Sequence, residues 1–259
     1  MDTNFVFGYH LIILFILGAA VGSFLNVVAY RFPRGESFIS PPSSCPSCGK
    51  RLQAVDLVPV LSYIFLRGSC RRCKARISVR YFFVEVITGL IFVVVPLFKG
   101  LNMEAAFYLF FLCLLLTVSL VDLEFHRIPN VFLMTGLVGG IILRVLNPAS
   151  RNLEAWSDAG LGMLAGGGIM LVIYILGRGG MGAGDLKLMI VVGFFLGLQG
   201  TVLSLLAGFI MGGIFGLIML ILRKMSRKEM VPFGPFLSLG AAIMVFYGEQ
   251  ILSWYMNFY

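Results

Sequence analysis

Apolar runs of about 20 residues, the length one helix needs to cross a bilayer core, divide nearly the whole chain. They fall at Tyr9 to Tyr30, Tyr81 to Phe98, Glu104 to Asp122, Val131 to Leu146, Asp158 to Leu176, Asp185 to Leu198, Thr201 to Leu222 and Pro232 to Tyr255. In lipid every backbone N–H and C=O must be satisfied within the segment, so such runs fold as helices. The expected fold is therefore an all-α polytopic integral membrane protein of about eight transmembrane helices. The sixth run is short enough to be partly re-entrant. The first is no cleavable signal peptide of the usual kind, because Asp2 precedes it and no basic residue does.

Charge is sparse, 12% of 259 residues against 59% hydrophobic, yet the chain is formally +8. Residues 31–80 hold ten Lys/Arg and two acids, so this one segment carries the whole excess. A basic chain of this kind would suggest nucleic acid only if the charge were spread over a water-soluble fold, and it is not. With eight spans, sixteen basic residues fall on one side, from residues 31–80, Arg127, Arg178, Arg223, Lys224, Arg227 and Lys228. Three, Lys99, Arg144 and Arg151, fall on the other. By the positive-inside rule the basic side is cytoplasmic and both termini lie outside. Membrane lipids are expected partners, because each surface cation near anionic headgroups contributes about 1 kcal/mol. The expected organisation is a first transmembrane helix (1–30), a cytoplasmic basic domain (31–80) and a transmembrane core (81–259).

That basic segment reads Cys45-Pro-Ser-Cys48-Gly-Lys and then Cys70-Arg-Arg-Cys73-Lys. Two Cys-x-x-Cys knuckles can close a tetrahedral four-thiolate site whose usual occupant is zinc. A site filled by Cys45, Cys48, Cys70 and Cys73 leaves no open ligand position, so Zn2+ there is structural, ordering a loop domain that lacks a large core. A cytoplasmic setting argues against disulfides. Cys113, alone in an apolar run, reads as a packing residue.

Ionisable residues within spans are expensive and are functional by default. Glu85, Asp122, Glu124 and Asp185 all map to cytoplasmic helix ends. Asp122 opens Asp122-Leu-Glu-Phe-His-Arg-Ile-Pro-Asn130, just before a proline-terminated helix end. Asp185 follows Gly182-Ala-Gly184, small residues that let another backbone come close. Two carboxylates meeting across helices cannot both ionise easily. One keeps its proton, and an acid and a base are then available to activate water against an amide. No Gly-x-Ser-x-Gly elbow offers a serine nucleophile. Gly177-Arg-Gly179-Gly180-Met-Gly182 matches a dinucleotide fingerprint in form only, because it follows a membrane helix and not a strand. Small residues at four-residue spacing (Gly136/Gly140, Gly162/Gly166, Gly208/Gly212/Gly216) read as close helix packing inside the bundle.

The Gly182-x-Gly184-Asp185 string and the Asp122-x-Glu124-x-x-Arg127-Ile-Pro string together resemble the type IV prepilin peptidases, intramembrane aspartic proteases of bacteria. The cysteine quartet resembles the cytoplasmic domain of their bifunctional members, and Gly22-Ser-Phe-Leu-Asn-Val-Val-Ala-Tyr-Arg-Phe-Pro33 resembles their N-terminal segment. The resemblance implies that Asp122 and Asp185 are the catalytic pair, with Gly182, Gly184, Glu124 and Arg127 as supporting motif. It implies prepilins and type II secretion pseudopilins as substrates, cut after Gly at the cytoplasmic membrane face of a bacterial inner membrane. It further implies methylation of the new N-terminal amine from S-adenosylmethionine. By position near the cytoplasmic end of the first span, Ser23, Asn26, Arg31 and Glu36 are candidates for that site, with Arg31 equally readable as a topology anchor. Glu85 is expected either to pair with Arg80 or Arg127 or to contact the substrate amine. Where members of the family often have an acid after Ile-Pro, this chain has Asn130. Two other readings stand beside this one: a transporter relaying ions through intramembrane acids, and a zinc-containing assembly protein without catalysis.

Overall fold

The computed structural model describes residues 3–150, 152–177, 181–222 and 232–257, with side chains from residue 9 onward. Arg151, Arg178, Gly179, Gly180, Arg223, Lys224, Arg227 and Lys228, used above for the charge bias and the glycine string, lie outside the described residues. The described chain is helical: α1 (Thr3–Arg31), α2 (Leu61–Phe65), α3 (Val79–Lys99), α4 (Met103–Phe125), α5 (Asn130–Leu146), α6 (Leu153–Leu176), α7 (Ala183–Ile221) and α8 (Gly234–Met256). Six of these are long and apolar enough to cross a membrane, and Asn130–Leu146 is a shorter apolar helix. The chain forms two compact units, Met1–Leu101 and Asn102–Tyr259. The first unit runs on to Leu101 because α3 packs along α1.

In the first unit the α1–α3 seam is set by small residues. A Cβ at Gly22 would come within 2.9 Å of the Thr88 hydroxyl and 3.0 Å of the Glu85 Cα. The backbones therefore approach more closely than any larger residue permits. Ser78 caps α3 by accepting from the Arg80 N–H. At the end of α1, Arg31 donates to the carbonyls of Ser37 (3.2 Å) and Pro41 (2.7 Å), folding the chain back on itself as it enters the cysteine segment.

The second unit is built on α4, whose N-terminus is capped by Asn102 accepting from the Ala105 N–H at 3.0 Å. Its core is aromatic. Phe111 stacks on Phe195 at 4.3 Å and 8°, with Phe107 4.6 Å from the same ring. Helix α6 begins at Leu153, five residues before the expected Asp158, because Asn152 caps it by accepting from the Ala155 N–H and Glu154 sits favourably in its first turn.

Helix α7 is two helical halves joined at Gly197, whose φ of 69° and ψ of −172° are non-helical. The chain folds back there. A Cβ on Gly166 would touch both the Met189 carbonyl and Thr201, residues twelve apart that a straight helix would hold about 18 Å apart. Along α6, Gly166 and Gly162 meet Met189 and Gly193 in antiparallel order, and Thr201 and Gly197 in parallel order. Gly136, Gly140, Gly162, Gly166, Gly208 and Gly212 all face neighbours in the same chain, as internal packing requires, whereas Gly216 faces open space.

Candidate metal centre and carboxylate site

The metal-ligand residues come from two knuckles with the same backbone. In the first, the Cys45 N–H donates to the Lys50 carbonyl and the Gly49 N–H to the Cys45 carbonyl. Twenty-five residues later the Cys70 N–H donates to Ala75 and the Lys74 N–H to Cys70. Isolated bridges Ser44–Arg51 and Ser69–Arg76 close the two loops at matching positions. Each knuckle needs one residue at positive φ, supplied by Gly49 (67°) in the first and by Lys74 (60°) in the second. A lysine there carries steric strain that glycine would not, up to about 1 kcal/mol. Lys74→Gly is therefore expected to slow metal loss to a chelator, read by timed competition with a zinc indicator.

The four sulfurs lie within 4.8 Å of one another. Cys45 and Cys73 Sγ are 3.7 Å apart, against about 3.8 Å for a tetrahedron with 2.3 Å metal–sulfur bonds. The donor set and its spacing fit zinc. Backbone N–H groups of Cys48 and Ser47 point at the Cys45 sulfur and bring its thiol down to about 6. Those of Cys73 and Arg72 lower Cys70. Cys73 accepts from the Ala75 N–H, but desolvation and the neighbouring sulfurs outweigh it and push the thiol up to about 11. Four thiolates thus need a cation to coexist. Asp56 braces the two knuckles: its carboxylate takes the Arg71 Nε at 2.7 Å and the Gln53 N–H at 3.1 Å, and the Arg71 bond holds its carboxyl below the usual range. That contribution is present above the ordinary aspartate pKa and is lost as pH falls through the lowered one.

Helix α3 carries Glu85, 8% exposed, into the seam with α1. Its Oε2 accepts from the Val60 N–H at 2.7 Å, and Ser23 lies within hydrogen-bonding reach. One turn away the buried Asn26 donates to the Tyr81 carbonyl at 3.2 Å, while its Oδ1 has no hydrogen-bond partner among the described residues. Ser23, Asn26 and Glu85 thus share one seam. Arg31 and Glu36 do not join them; they shape the loop after α1, where the Glu36 N–H donates to the Arg31 carbonyl.

In the second unit Asp122 lies in the last turn of α4, 6% exposed. The helix stops because His126 takes the left-handed conformation (φ 52°) while its N–H donates to the Asp122 carbonyl at 2.9 Å. Pro129 then caps α5. Asp185 sits in the first turn of α7, 7% exposed, and its carboxylate folds back onto the N–H of the cap residue Gly182. The two carboxylates are within electrostatic reach of each other. They meet because their motifs meet. A Cβ on Gly184 would lie 3.0 Å from that of the buried Ile128, so Gly184 lets α7 start directly against the Ile-Pro turn. Lys187 Nζ donates to Asn130 Oδ1 at 3.0 Å, a second tie between the same strings. Glu124 and Arg127 are on the exposed face of this turn, with the Arg127 guanidinium 5.7 Å from the Phe125 ring.

One residue of this site is missing from the sequence reading. Asp122 Oδ2 accepts from the N–H of Gly234, the first residue of α8, at 3.0 Å. A Cβ on Gly234 would approach that oxygen to 2.7 Å, so any larger residue there would push the carboxylate aside. A helix N-terminus suits a carboxylate because its first N–H groups lack helical partners. Glycine followed by Pro235 at a helix start was the available signal, but nothing local tied it to Asp122, 112 residues away.

A buried pair of carboxylates, each receiving a backbone N–H, has the parts for water-mediated amide hydrolysis. Residues 16–98 match the bacterial peptidase A24 N-terminal domain, and residues 109–217 match the type IV leader peptidase family. The chain is 33% identical over 245 residues to a prepilin leader peptidase/N-methyltransferase of Bacillus subtilis (strain 168), covering 95% of this chain and 97% of that protein. It is 34% identical over 272 residues to one so named from Pseudomonas putida, covering 95% and 93%. A third, from Pseudomonas aeruginosa, is 32% identical over 267 residues, covering 94% and 92%. No solved structure matches. With identity of this order over more than nine-tenths of the chain and of these relatives, the protein belongs to the type IV leader peptidase family.

Proposed function

We propose that the protein is a membrane-embedded aspartic endopeptidase that removes the basic leader of type IV prepilins and type II secretion pseudopilins, and then methylates the new N-terminus. The observation that carries the first activity is the Asp122–Asp185 pair at adjoining helix ends, locked by the Gly184–Ile128 contact. One carboxylate, ionised, takes a proton from water as it attacks the carbonyl carbon of the leader's last Gly. The other, protonated, donates to the carbonyl oxygen. Collapse of the tetrahedral intermediate breaks the C–N bond, and a proton passes to the departing amine. The pair titrates as a unit, so its macroscopic pKa values belong to both residues.

Both aspartates lie within the terminal turns of their helices. That favours a peptidase acting at a membrane face over a relay transporter, whose acids are expected near the midplane. The proposed setting is a bacterial inner membrane with the zinc domain and the aspartates on the cytoplasmic side and both termini outside. Eight spans follow if α5 and both halves of α7 cross. A leader-cleavage gel shift with purified protein and a synthetic prepilin separates the readings, since a transporter or an assembly protein leaves the substrate intact. In the same assay Gly234→Ala is expected to lower the cleavage rate by about 10²-fold, because it displaces the Asp122 carboxylate. Wild-type cleavage by folded Gly234→Ala would remove that contact from the site.

For methyl transfer, with S-adenosylmethionine as donor, the Ser23–Asn26–Glu85 seam supports a reading in which these acceptors hold the nascent amine. Zinc held by Cys45, Cys48, Cys70 and Cys73 would supply only fixed geometry, because four thiolates leave no open position. Glu85→Gln is expected to lower methylation of an already cleaved peptide while leaving cleavage intact, read by mass spectrometry. Equal methylation would remove Glu85 from the transfer.

A further inference from the structure

The break in α7 leaves two backbone groups that one helical turn would have joined, the Phe194 carbonyl and the Leu198 N–H. Each is taken by a charged side chain from another helix. Arg144 of α5 donates Nη1 to the Phe194 carbonyl at 3.3 Å, and Asp158 of α6 accepts the Leu198 N–H on Oδ1 at 3.0 Å. The Asp158 carboxylate also fills the space that a Cβ on Gly197 would need. Arg144 is held from three sides, 5.1 Å from the Phe194 ring, 5.6 Å from Phe107 and 5.8 Å from Trp156. It is 9% exposed, so its charge has been taken out of water and into the bundle. A buried cation and an acid that share out one missing helical hydrogen bond form a fixed clamp on the break.

The clamp grips one end of a rod whose other end carries Asp185. The first half of α7, from Ala183 to the break, is about 18 Å long between Asp185 and Gly197. Along that length its closest approaches to α6 are made at glycine, at Gly162, Gly166 and Gly193. A glycine seam gives close approach but few side-chain knobs to resist sliding along the axis. Axial register is therefore set at the ends, by the Gly184–Ile128 and Lys187–Asn130 contacts at one and by the clamp at the other.

We propose that Arg144 and Asp158 are positioning residues for peptide cleavage, fixing the register of the first half of α7 and so the placement of Asp185 opposite Asp122. This rests on the reading that the two aspartates carry out the cleavage. The test compares purified, full-length Asp158→Ala, Asp158→Asn, Arg144→Met and Arg144→Gln with wild type and with Asp185→Asn. Substrate cleavage is read as separate kcat and KM, and folded yield by size exclusion. Asp158→Asn keeps an oxygen that can accept the Leu198 N–H, and Arg144→Gln keeps an amide donor. Asp158→Ala and Arg144→Met are expected to lower kcat about 10- to 100-fold at nearly unchanged KM, with Asp158→Asn restoring most of it. A role in bundle stability alone would reduce folded yield and leave kcat per folded molecule at wild type. Wild-type kcat in Asp158→Ala and Arg144→Met, or Asp158→Asn as impaired as Asp158→Ala, overturns the proposal while an inactive Asp185→Asn leaves the catalytic reading standing. Cleavage by Asp185→Asn overturns the catalytic reading itself. If Arg144→Met does not fold, the two Asp158 variants decide the matter.

Discussion

Replacing Asp185 with asparagine is expected to lower prepilin cleavage by about 10⁴-fold, the scale of losing an indispensable catalytic group, without unfolding the protein. Asparagine matches aspartate in size and keeps an oxygen to accept the Gly182 N–H that the carboxylate now receives. What it lacks is the second protonation state. A pair that must hold one proton and pass it between water, substrate and leaving amine cannot work with a neutral amide in one position. Asp122→Asn should behave alike, since an amide oxygen can still take the Gly234 N–H. Methylation of a peptide that has already lost its leader is expected to survive both changes, because the Ser23–Asn26–Glu85 seam belongs to the other compact unit. The measurement is an initial-rate cleavage assay beside a methyl-incorporation assay on the same preparations. Loss of both activities together would point to misfolding, and retained cleavage in both variants would remove the pair from the chemistry.

The second large effect is expected from the proposed zinc site. Residues 35–78 contain only short helical turns and two isolated bridges. Ile39, Val55 and Phe65 are exposed there, so little apolar core is present to hold the segment. Structural zinc sites of this kind contribute about 10 kcal/mol or more to folding. Cys70→Ser or strong chelation is therefore expected to release the metal, open the segment to limited proteolysis and abolish methyl transfer. The tie between the Val60 N–H and Glu85 is the specific link that would be lost. Acid should act in the same direction, because protons compete with zinc for the thiolates. Metal content by mass spectrometry, followed against pH, checks this. A segment that stays protease-resistant at wild-type levels after complete metal loss would contradict a structural role.

The parts legible in the sequence were those whose chemistry is local. Each cysteine knuckle is a single tight turn, so Cys45/Cys48 and Cys70/Cys73 announce the site. Asp122 stands four residues before its helix stop, and Asp185 stands one after Gly184. What was not legible depends on contacts between distant segments. Gly234 receives its role from Asp122, 112 residues earlier. The pairing of α3 with α1 comes from a glycine seam and not from adjacency. The turn between the halves of α7 is at Gly197, where hydropathy alone set it between Leu198 and Thr201. Charge counting places Arg144 on the outer side but cannot show that its guanidinium is buried against three rings. Asn130 holds Lys187 through its amide oxygen, a tie that needs no negative charge.

The most direct test is mass spectrometry of a prepilin coexpressed with this protein, read for leader removal and for a methyl group on the new N-terminus. Wild type is expected to yield a product shortened to the residue after the leader's Gly and heavier by one methyl, and Asp122→Asn or Asp185→Asn to yield full-length, unmethylated prepilin. Intact prepilin with the wild-type protein, or leader loss that persists in both aspartate variants, would contradict a two-aspartate leader peptidase.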